Sequence, residues 1–473
     1  MKSSNRRAVV RGPGGASGVR GLGRRGFLTT AAIGSTAYLA GCGDKETSPG
    51  STTTTPTCEL PESPAPPDLD YPTAAYFQQI AADLDAAKVG SPVVLLDMDR
   101  ADANIDAIAS ELVAPLSYRI VEKSLPSLDL LSYVSKRSGS DKLLVMHLPF
   151  LQPILDGLPD ADILVGKAHL TAGVSAFFKG LPAGTDLDAL TARVAFMADG
   201  PERLAELVAL AKSQSIKLRI AIEIDVGLRR SGLSDPAELA PMLQVLKDSS
   251  DVRFAGLLGY DGHVPHTPGG TLDAVNEAWA EATALYQSFV DVLTKDFPTL
   301  AALPDLVFNS GGTATFPMYK KGTPVNDVAA GGGVLRPGSY PDYVISMLKP
   351  AIFIAAPVIK QYDKPLLPFF TEEQSTALLS GRQGITVQGG RWPAYYTYPE
   401  DVQLAPLVSD PTDFSMVPNQ GLLTAPPGTK IKAGDWLFMH PKESDALFQF
   451  EQVLQVRGGH LTEETMKPFP RRL

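Results

Sequence analysis

The chain is poor in cysteine, and its N-terminal apolar segment is short. Its 473 residues include only two cysteines. Two cysteines cannot form a disulfide framework or a cysteine metal cluster. The apolar run at residues 28–40 is too short to remain in a bilayer as a membrane-spanning helix. These absences exclude a disulfide-stapled scaffold and a permanent membrane span in that run.

Basic residues are concentrated at the N-terminus. The formal net charge is −10, yet residues 1–41 contain seven Lys/Arg and no Asp/Glu. The rest of the chain is therefore more acidic than the total suggests. An acidic body repels phosphate backbones and anionic lipids, so neither nucleic acid nor an anionic membrane surface is an expected partner. With 44% hydrophobic residues, the chain can bury a large core and exceeds one small domain.

The first 41 residues have the features of an export signal. Arg24 and Arg25 precede the apolar run, which ends in Leu-Ala-Gly followed by Cys42. This order resembles a twin-arginine signal joined to a lipoprotein signal, whose cysteine is acylated after cleavage. Residues 42–72 are rich in Ser, Thr and Pro and predict a flexible tether. The resemblance implies an exported, periplasmic or cell-envelope lipoprotein attached to the membrane only through Cys42.

Strands and amphipathic helices alternate through the middle of the chain. A strand is predicted at 93–98, followed by a helix with Ile105 and Ile108 on one face. Eight further strands are predicted at 118–121, 143–147, 163–166, 194–198, 218–226, 254–260, 307–310 and 328–331. Eight strand–helix units over about 250 residues are typical of a (β/α)8 barrel. An open doubly wound sheet is the alternative, but no Gly-x-Gly-x-x-Gly turn follows the first strand.

The pattern changes beyond residue 347. Short β-like runs, separated by loops rich in Pro and Gly, occur at 352–358, 384–387, 436–440, 446–450 and 453–456. Such runs without long helices are typical of a mostly β domain. The sequence therefore predicts a TIM-type barrel over 73–350 and a mostly β domain over 351–473, with an active site between them.

Several reactive residue types follow the predicted strands, where barrels carry their chemistry. Lys123 ends the first barrel segment, and a desolvated lysine amine there suits a Schiff base with pyridoxal phosphate. Lys167 is its only rival. His147, before Leu-Pro, is typical of a capped strand end. A glycine-rich loop after the seventh barrel strand has backbone N–H groups suited to a phosphate, and it comprises Ser310, Gly311, Gly312 and Thr313.

Longer motifs support these positions. They are Val94-Leu95-Leu96-Asp97-Met98-Asp99, Arg119 to Lys123, Glu223-Ile224-Asp225-Val226-Gly227 with Arg230-x-Gly232, Gly259-Tyr260-Asp261-Gly262-His263 and Leu335-Arg336-Pro337-Gly338-Ser339-Tyr340. From about residue 92 onward the chain resembles the D-threonine aldolase and D-serine dehydratase group. These are fold-type III pyridoxal-phosphate enzymes related to alanine racemase.

The resemblance implies roles for individual residues. Lys123 would be the Schiff-base lysine, and Arg230 would lie beside the pyridine nitrogen. The loop from Ser310 to Thr313 would hold the phosphate, with Tyr340 also in the cofactor site. Tyr260 and His263 are candidates for work at a substrate hydroxyl group.

Two departures from the group change what is expected. The Pro-His that precedes the lysine in the group is Ile120-Val121 here. Known members carry His-x-Cys or His-x-Asp metal ligands near the C-terminus, whereas this chain has His440-Pro441-Lys442. A charged lysine has no lone pair for a metal. We therefore expect no stoichiometric divalent metal, and His440 is either a substrate contact or structural.

The sequence favours a pyridoxal-phosphate-dependent lyase of the aldolase or dehydratase type. Its substrate would be a small D-amino acid or β-hydroxy amino acid, bound through a Schiff base on Lys123. An amino-acid racemase is one alternative, although the sequence identifies no second base. An exported, non-catalytic binding protein on the same barrel is another. A homodimer is compatible with each.

Overall fold

The computed structural model describes residues 67–470, apart from 269, 320–321, 342–343, 368–369, 390–391 and 405–419. Glu62–Leu473 group into one compact unit. The predicted signal at 1–41, Cys42 and most of the tether at 42–72 lie outside the described residues. Of the helices that are described, none is long and apolar enough to cross a membrane.

The described chain opens with helix α1 (Ala74–Ala86), strand β1 (Val93–Asp97) and helix α2 (Met98–Glu111). Eight parallel strands then form a closed barrel in sequence order. They are β2 (Ser117–Val121), β3 (Lys142–Val145), β4 (Asp162–Val165), β5 (Val194–Ala198), β6 (Leu218–Glu223), β7 (Val252–Gly259), β8 (Val307–Ser310) and β9 (Asp327–Ala330). Pairing of β9 with β2 closes the barrel. The predicted (β/α)8 barrel is confirmed, and each predicted barrel strand overlaps an observed one.

Amphipathic helices connect most of the barrel strands. They are α3 (Leu128–Ser138), α4 (Leu148–Gly157), α5 (Thr171–Gly180), α6 (Leu187–Arg193), α7 (Pro201–Gln214), α8 (Leu239–Asp248), α9 (Leu272–Asp296) and the single turn α10 (Pro298–Ala301). Helix α7 shows why they form. Proline at its first position fits the fixed helical φ, and Leu204, Leu207 and Ala211 recur at helical spacing on its buried face.

The barrel strands alternate between an inner and an outer face, as a pleated strand requires. On β3, Leu144 packs inside the barrel with Leu164, Met197 and other residues of one cluster. Its neighbours Leu143 and Val145 belong to the separate cluster beneath the helices. The inner cluster includes four alanines, whose small side chains leave room for larger neighbours such as Met197.

A buried ionic network fills the N-terminal end of the barrel. Arg119 on β2 is fully buried. Its Nε donates to Asp327 Oδ1 at 2.6 Å, and its Nη2 donates to Asp162 Oδ1 at 2.8 Å. Asp327 and Asp162 are the first residues of β9 and β4. Arg219 on β6 also donates to Asp162, at 2.9 Å. Four strands are thus joined opposite the end that carries the predicted site.

The second part of the molecule is a nine-stranded sheet with the order β13-β14-β11-β10-β1-β16-β17. Strand β15 pairs with β10, and β12 pairs with β15. Its later members are β10 (Ile352–Tyr362), β11 (Gln383–Gln388), β12 (Ala394–Tyr398), β13 (Gln403–Leu404), β14 (Gln420–Ala425), β15 (Trp436–Pro441), β16 (Val453–Arg457) and β17 (His460–Met466). Helix α11 (Glu372–Leu378) lies between β10 and β11 in the chain. The mostly β second part is therefore confirmed.

Strand β1 belongs to this second sheet. It pairs antiparallel with β10 and parallel with β16. Helix α1 covers the same sheet, where Phe77 packs against Phe353 and Phe438. The sequence grouped residues 73–97 with the barrel, and their pairing partners show that they complete the C-terminal sheet instead. The domain boundaries at 73–350 and 351–473 otherwise stay a prediction.

Candidate active site

Two adjoining cavities lie at the C-terminal ends of the barrel strands. The inner cavity, over the barrel mouth, is lined by Arg230, Tyr260, Thr313 and Tyr340 among others. The outer cavity has a volume of about 500 Å³ and extends to the loop that follows β15. Lys123 lines both cavities. The lysine that the sequence singled out therefore stands where the two spaces meet.

A short turn after β2 positions Lys123. A single 3-10 turn, Glu122–Ser124, follows the strand directly. Its neighbours Glu122 and Ser124 are buried, whereas Lys123 projects into open space. Burying the residues on both sides fixes the backbone and leaves the amine at the cavity junction. The rival Lys167 lines only the outer cavity.

Two glycine loops form one wall of the inner cavity. Gly311 has φ +85°, a conformation that favours glycine, and an added Cβ there would lie 2.8 Å from Val328 Cγ1. An added Cβ at Gly332 would lie 2.8 Å from the hydroxyl of Tyr340. Thr313 Oγ1 accepts the Gly333 N–H at 3.0 Å, which joins the two loops. Side chains at these glycines would clash with Val328 and with Tyr340, so the close packing of the two loops favours glycine.

Arg230 and Tyr260 lie together on another wall. The guanidinium carbon of Arg230 is 5.3 Å from the centre of the Tyr260 ring, within the range of a cation–π contact. Asp225 shapes the loop that carries Arg230, because its Oδ1 accepts the N–H groups of Gly227 and Arg229, each at 2.9 Å. Burial and the nearby Asp261 raise the pKa of the Tyr260 phenol, so it stays protonated at neutral pH.

Two predicted residues have side chains outside both cavity linings. The Ser310 hydroxyl donates to the carbonyl oxygen of Gly259 at 2.5 Å and contacts Tyr319 Oη at 2.7 Å. It points into the protein, away from the loop that follows it. The His263 ring packs on Gly227, where an added Cβ would lie 2.7 Å from Nε2. Burial lowers the pKa of His263.

The loop after β15 closes the outer cavity. Glu443 and Asp445 line it opposite the barrel residues. Two backbone hydrogen bonds fasten this loop to the barrel, from Gly338 N–H to the carbonyl of Pro441 and from Ser339 N–H to that of Lys442. The Ser339 hydroxyl also donates to Glu443 Oε1 at 2.8 Å. The sequence did not single out Glu443 as a site residue. Glu443 is far from Ser339 in the chain, so only the folded structure shows that the two side chains are in contact.

The structure also adds His147, which the sequence set aside as a strand end. His147 precedes helix α4, but its side chain makes no cap hydrogen bond. Its ring lines the outer cavity with Lys123. The Nδ1 atom lies 3.0 Å from Oε1 of the buried Glu122. A histidine after one strand and a glutamate after the neighbouring strand were the only sequence signals for this pair.

His440 has both ring nitrogens engaged inside the protein. It is fully buried. Its Nε2 lies 2.8 Å from the carbonyl oxygen of Arg336, and its Nδ1 lies 2.8 Å from Tyr71 Oη. Burial lowers the pKa of His440 to about 3, so the ring is neutral, with one nitrogen donating and one accepting. Of the two roles left open by the sequence, the structural one fits these contacts.

The residues present do not fit a divalent metal near this site. A bound metal needs several His, Cys, Asp or Glu donors at fixed distances. Within the described part of the chain, no group of three or more such residues is arranged to hold one. The hydrogen bonds of His440 leave it no free nitrogen for coordination.

The inner cavity does fit pyridoxal phosphate. It combines a projecting lysine, the loop backbone at Gly311 and Gly312 and a fixed positive charge on Arg230. Glycine loops of this kind bind phosphate through backbone N–H groups. Lys123, Arg230, Gly311, Gly312, Thr313 and Tyr340 all line this one space. With Tyr260, which lines the same cavity, the structure brings together seven of the predicted residues, from five loops.

Comparisons with known proteins agree with this geometry. Residues 96–331 match the family described as "Alanine racemase, N-terminal domain". A D-threonine aldolase from Arthrobacter sp. is 24% identical over 258 residues. That match covers 54% of this chain and 63% of the relative's length.

Solved structures share the fold. The D-threonine aldolase of Filomicrobium marinum superposes with a TM-score of 0.62 at 16% identity, over 80% of this chain and 96% of that one. The D-threo-3-hydroxyaspartate dehydratase of Delftia sp. HT23 superposes with a TM-score of 0.60 at 18% identity, over 81% of this chain and 98% of that one. An alanine racemase of Clostridium difficile 630 superposes with a TM-score of 0.57 at 13% identity, over 81% of this chain and 100% of that one. At these identities the likeness establishes the fold alone. Together with the match of residues 96–331 to the alanine racemase N-terminal domain family, this shared fold supports the resemblance to the fold-type III pyridoxal-phosphate enzyme group that the motifs indicated.

Proposed function

We propose that the protein is a pyridoxal-phosphate-dependent lyase acting on a small D-amino acid or β-hydroxy amino acid. The observation that carries the proposal is the position of Lys123 at the junction of the two cavities, facing the glycine loops and Arg230. The relatives named D-threonine aldolase and D-threo-3-hydroxyaspartate dehydratase support the substrate class.

Each part of the inner cavity has a role in this proposal. Lys123 would hold the cofactor covalently, and the loop from Ser310 to Thr313 would hold its phosphate through backbone N–H groups. Arg230 would bind the ring nitrogen, and because a guanidinium stays protonated it would leave that nitrogen without a proton. Tyr340, whose pKa is raised by burial, contributes a protonated hydroxyl. Bound pyridoxal phosphate supplies an electron sink for bonds broken at Cα.

The outer cavity then receives the substrate side chain. At about 500 Å³ it lies within the range of small-molecule sites. Tyr260 remains in the proposal as a side chain at the cavity wall. His263 enters it as a support for the loop at Gly227, since its ring packs there.

The cofactor assignment is tested on the full-length protein and two lysine variants. Lys123→Ala should abolish the visible absorption band that borohydride bleaches, because Lys123 is the one lysine among the described residues that lines both cavities. Lys167→Ala is the matched control and should keep that band. A bleachable band that survives in Lys123→Ala, or that disappears in Lys167→Ala, contradicts the assignment.

A panel of D-amino acids separates the remaining alternatives. Release of an aldehyde or of an oxo acid with ammonia indicates a lyase, and loss of optical rotation without either indicates a racemase. Binding without turnover indicates a non-catalytic binding protein. We expect lyase products from a β-hydroxy D-amino acid.

We also propose that the protein works in the cell envelope as a lipoprotein. The support is the order of Arg24, Arg25, the apolar run and Cys42 in the sequence. A homodimer is part of the same proposal, and sedimentation of the purified protein measures it.

A further inference from the structure

Glu122 is a carboxylate buried directly beside the proposed cofactor lysine. Its side chain is fully excluded from solvent. Burying a carboxylate without hydrogen-bond partners costs free energy. The groups that bond to Glu122 therefore indicate its role. Its Oε2 accepts the Met146 N–H at 2.9 Å. The remaining contacts are to His147 Nδ1, at 3.0 Å from Oε1 and 3.2 Å from Oε2.

These contacts determine which nitrogen of the His147 ring carries the hydrogen. A carboxylate can only accept, so Nδ1 carries the hydrogen and donates it to Glu122. In a neutral imidazole the other nitrogen, Nε2, then carries a free lone pair. Within the described residues, no hydrogen bond occupies Nε2 of His147, and the side chain is 21% exposed.

The ring is held rigidly at the wall of the outer cavity. Its centre lies 5.2 Å from that of Phe150 and 5.9 Å from that of Phe448. All three side chains line the outer cavity together with Lys123. A carboxylate that orients an imidazole beside a reacting group is the arrangement of general bases in many enzymes.

We propose that His147 is the base that removes the proton of the substrate β-hydroxyl group, with Glu122 as the residue that positions it. The inference rests on the proposed lyase function and narrows it to Cα–Cβ cleavage of β-hydroxy amino acids. His147 thus accepts the proton in a site whose potential ligand side chains do not fit a metal.

The step is balanced without an oxidant or reductant. The O–H bond breaks, and its hydrogen forms an N–H bond at Nε2 of His147. The electron pair left on oxygen forms a carbonyl double bond as the Cα–Cβ bond breaks, which releases an aldehyde. The electron pair of the broken bond stays with the amino-acid fragment, which takes up one proton at Cα and leaves as the smaller amino acid.

The experiment compares two reactions of the full-length holoenzyme. One is aldehyde release from a β-hydroxy D-amino acid, and the other is exchange of the Cα hydrogen of D-alanine in D₂O, which involves no hydroxyl group. His147→Gln should lower kcat for aldehyde release by about 10²–10⁴-fold, the usual range for a lost general base, and keep exchange within about threefold. His460→Gln, which changes an exposed imidazole paired with Asp83, is the matched control. It should change the rate of neither reaction beyond the same threefold limit.

Glu122→Gln tests the positioning role through a readout that does not need activity. Nitrogen-15 NMR of the unliganded wild-type protein should show His147 as the Nδ1–H tautomer. The glutamine amide can donate to Nδ1, so this variant should shift His147 toward Nε2–H and change the acidic limb of the pH–rate profile.

Three results overturn the inference. They are aldehyde release by His147→Gln within threefold of wild type, equal loss of exchange and release in that variant, and an Nε2–H tautomer in the wild type. A wild-type protein that exchanges Cα hydrogen but never releases aldehyde also overturns it, while leaving the cofactor assignment intact. A wild-type protein that does neither reaction and binds no cofactor overturns the proposed function itself.

Discussion

Asp261 is a buried carboxyl group at one end of a hydrogen-bond chain that reaches the proposed phosphate loop. Its Oδ2 accepts the hydroxyl hydrogen of Tyr319 at 2.8 Å. The Tyr319 hydroxyl also lies 2.7 Å from Ser310 Oγ, which donates to the Gly259 carbonyl. Burial raises the pKa of the Asp261 carboxyl to about 6, although the Thr315 and Tyr319 hydroxyls bonded to it act in the opposite direction. The chain of hydrogen bonds ends at Ser310, the first residue of the proposed phosphate loop.

This raised pKa gives a prediction about stability and pH. A carboxyl group whose pKa is higher in the folded state contributes stability at low pH, which is lost as pH rises through the folded pKa of about 6. Asp261→Asn keeps an acceptor oxygen for the Tyr319 hydroxyl and removes the charge. Its stability relative to wild type should therefore improve by about 3 kcal/mol between pH 4 and pH 8, measured by urea denaturation.

A control separates this effect from general acid sensitivity. Asp160→Asn changes an exposed carboxylate, and its stability relative to wild type should stay flat over the same range. If Asp261→Asn is equally flat, Asp261 is not the group that titrates.

At the scale of elements, the barrel is held at its N-terminal end by charges and at its C-terminal end by loops. Arg119 joins β2 to β9 and β4 through Asp327 and Asp162, and its Nη1 also donates to the carbonyl of Leu143 on β3 at 3.0 Å. Such a network is costly to break because each partner is left buried without its counter-charge. The rigid barrel end leaves the opposite loops free to carry the site.

Removing Arg119 should therefore destabilise the barrel strongly. Arg119→Met leaves Asp327 buried at 1% exposure without its main cation, and we expect a loss of about 3–5 kcal/mol in the free energy of unfolding. Arg137→Met is the matched control, since Arg137 makes partly exposed ion pairs with Asp102 and Asp106. Exposed pairs contribute about 0–1 kcal/mol. Equal losses in the two variants would show that burial is not what gives the Arg119 network its strength.

At the scale of the whole molecule, the proposed lipid anchor decides where the enzyme works. Cys42→Ser should move the protein from the membrane fraction to the soluble fraction of the envelope, because acylation is the proposed attachment and several acyl chains anchor firmly. Cys58→Ser, which removes the other cysteine, is the control and should leave the protein in the membrane fraction. Membrane association that persists in Cys42→Ser contradicts the lipoprotein proposal.

The sequence by itself determined the barrel and the positions of its reactive loops. The strand at 194–198 and helix α7 could be predicted because the spacing of hydrophobic residues that defines each element lies within one short stretch of the chain. The glycines at 311 and 312 and the lysine at 123 could be placed at strand ends for the same reason. Because all parallel barrel strands end on one side, this local order was enough to predict a shared cavity.

Only the tertiary structure decided which distant residues meet. Strand β1 joins β10 and β16, partners more than 250 residues away in the chain, and no local pattern encodes that pairing. The same holds for His147 with Glu122, for Glu443 with Ser339, and for His440, whose burial depends on Tyr71 and the Arg336 carbonyl. Side-chain chemistry of this kind is set by long-range contacts and desolvation, which exist only once the two sheets are assembled.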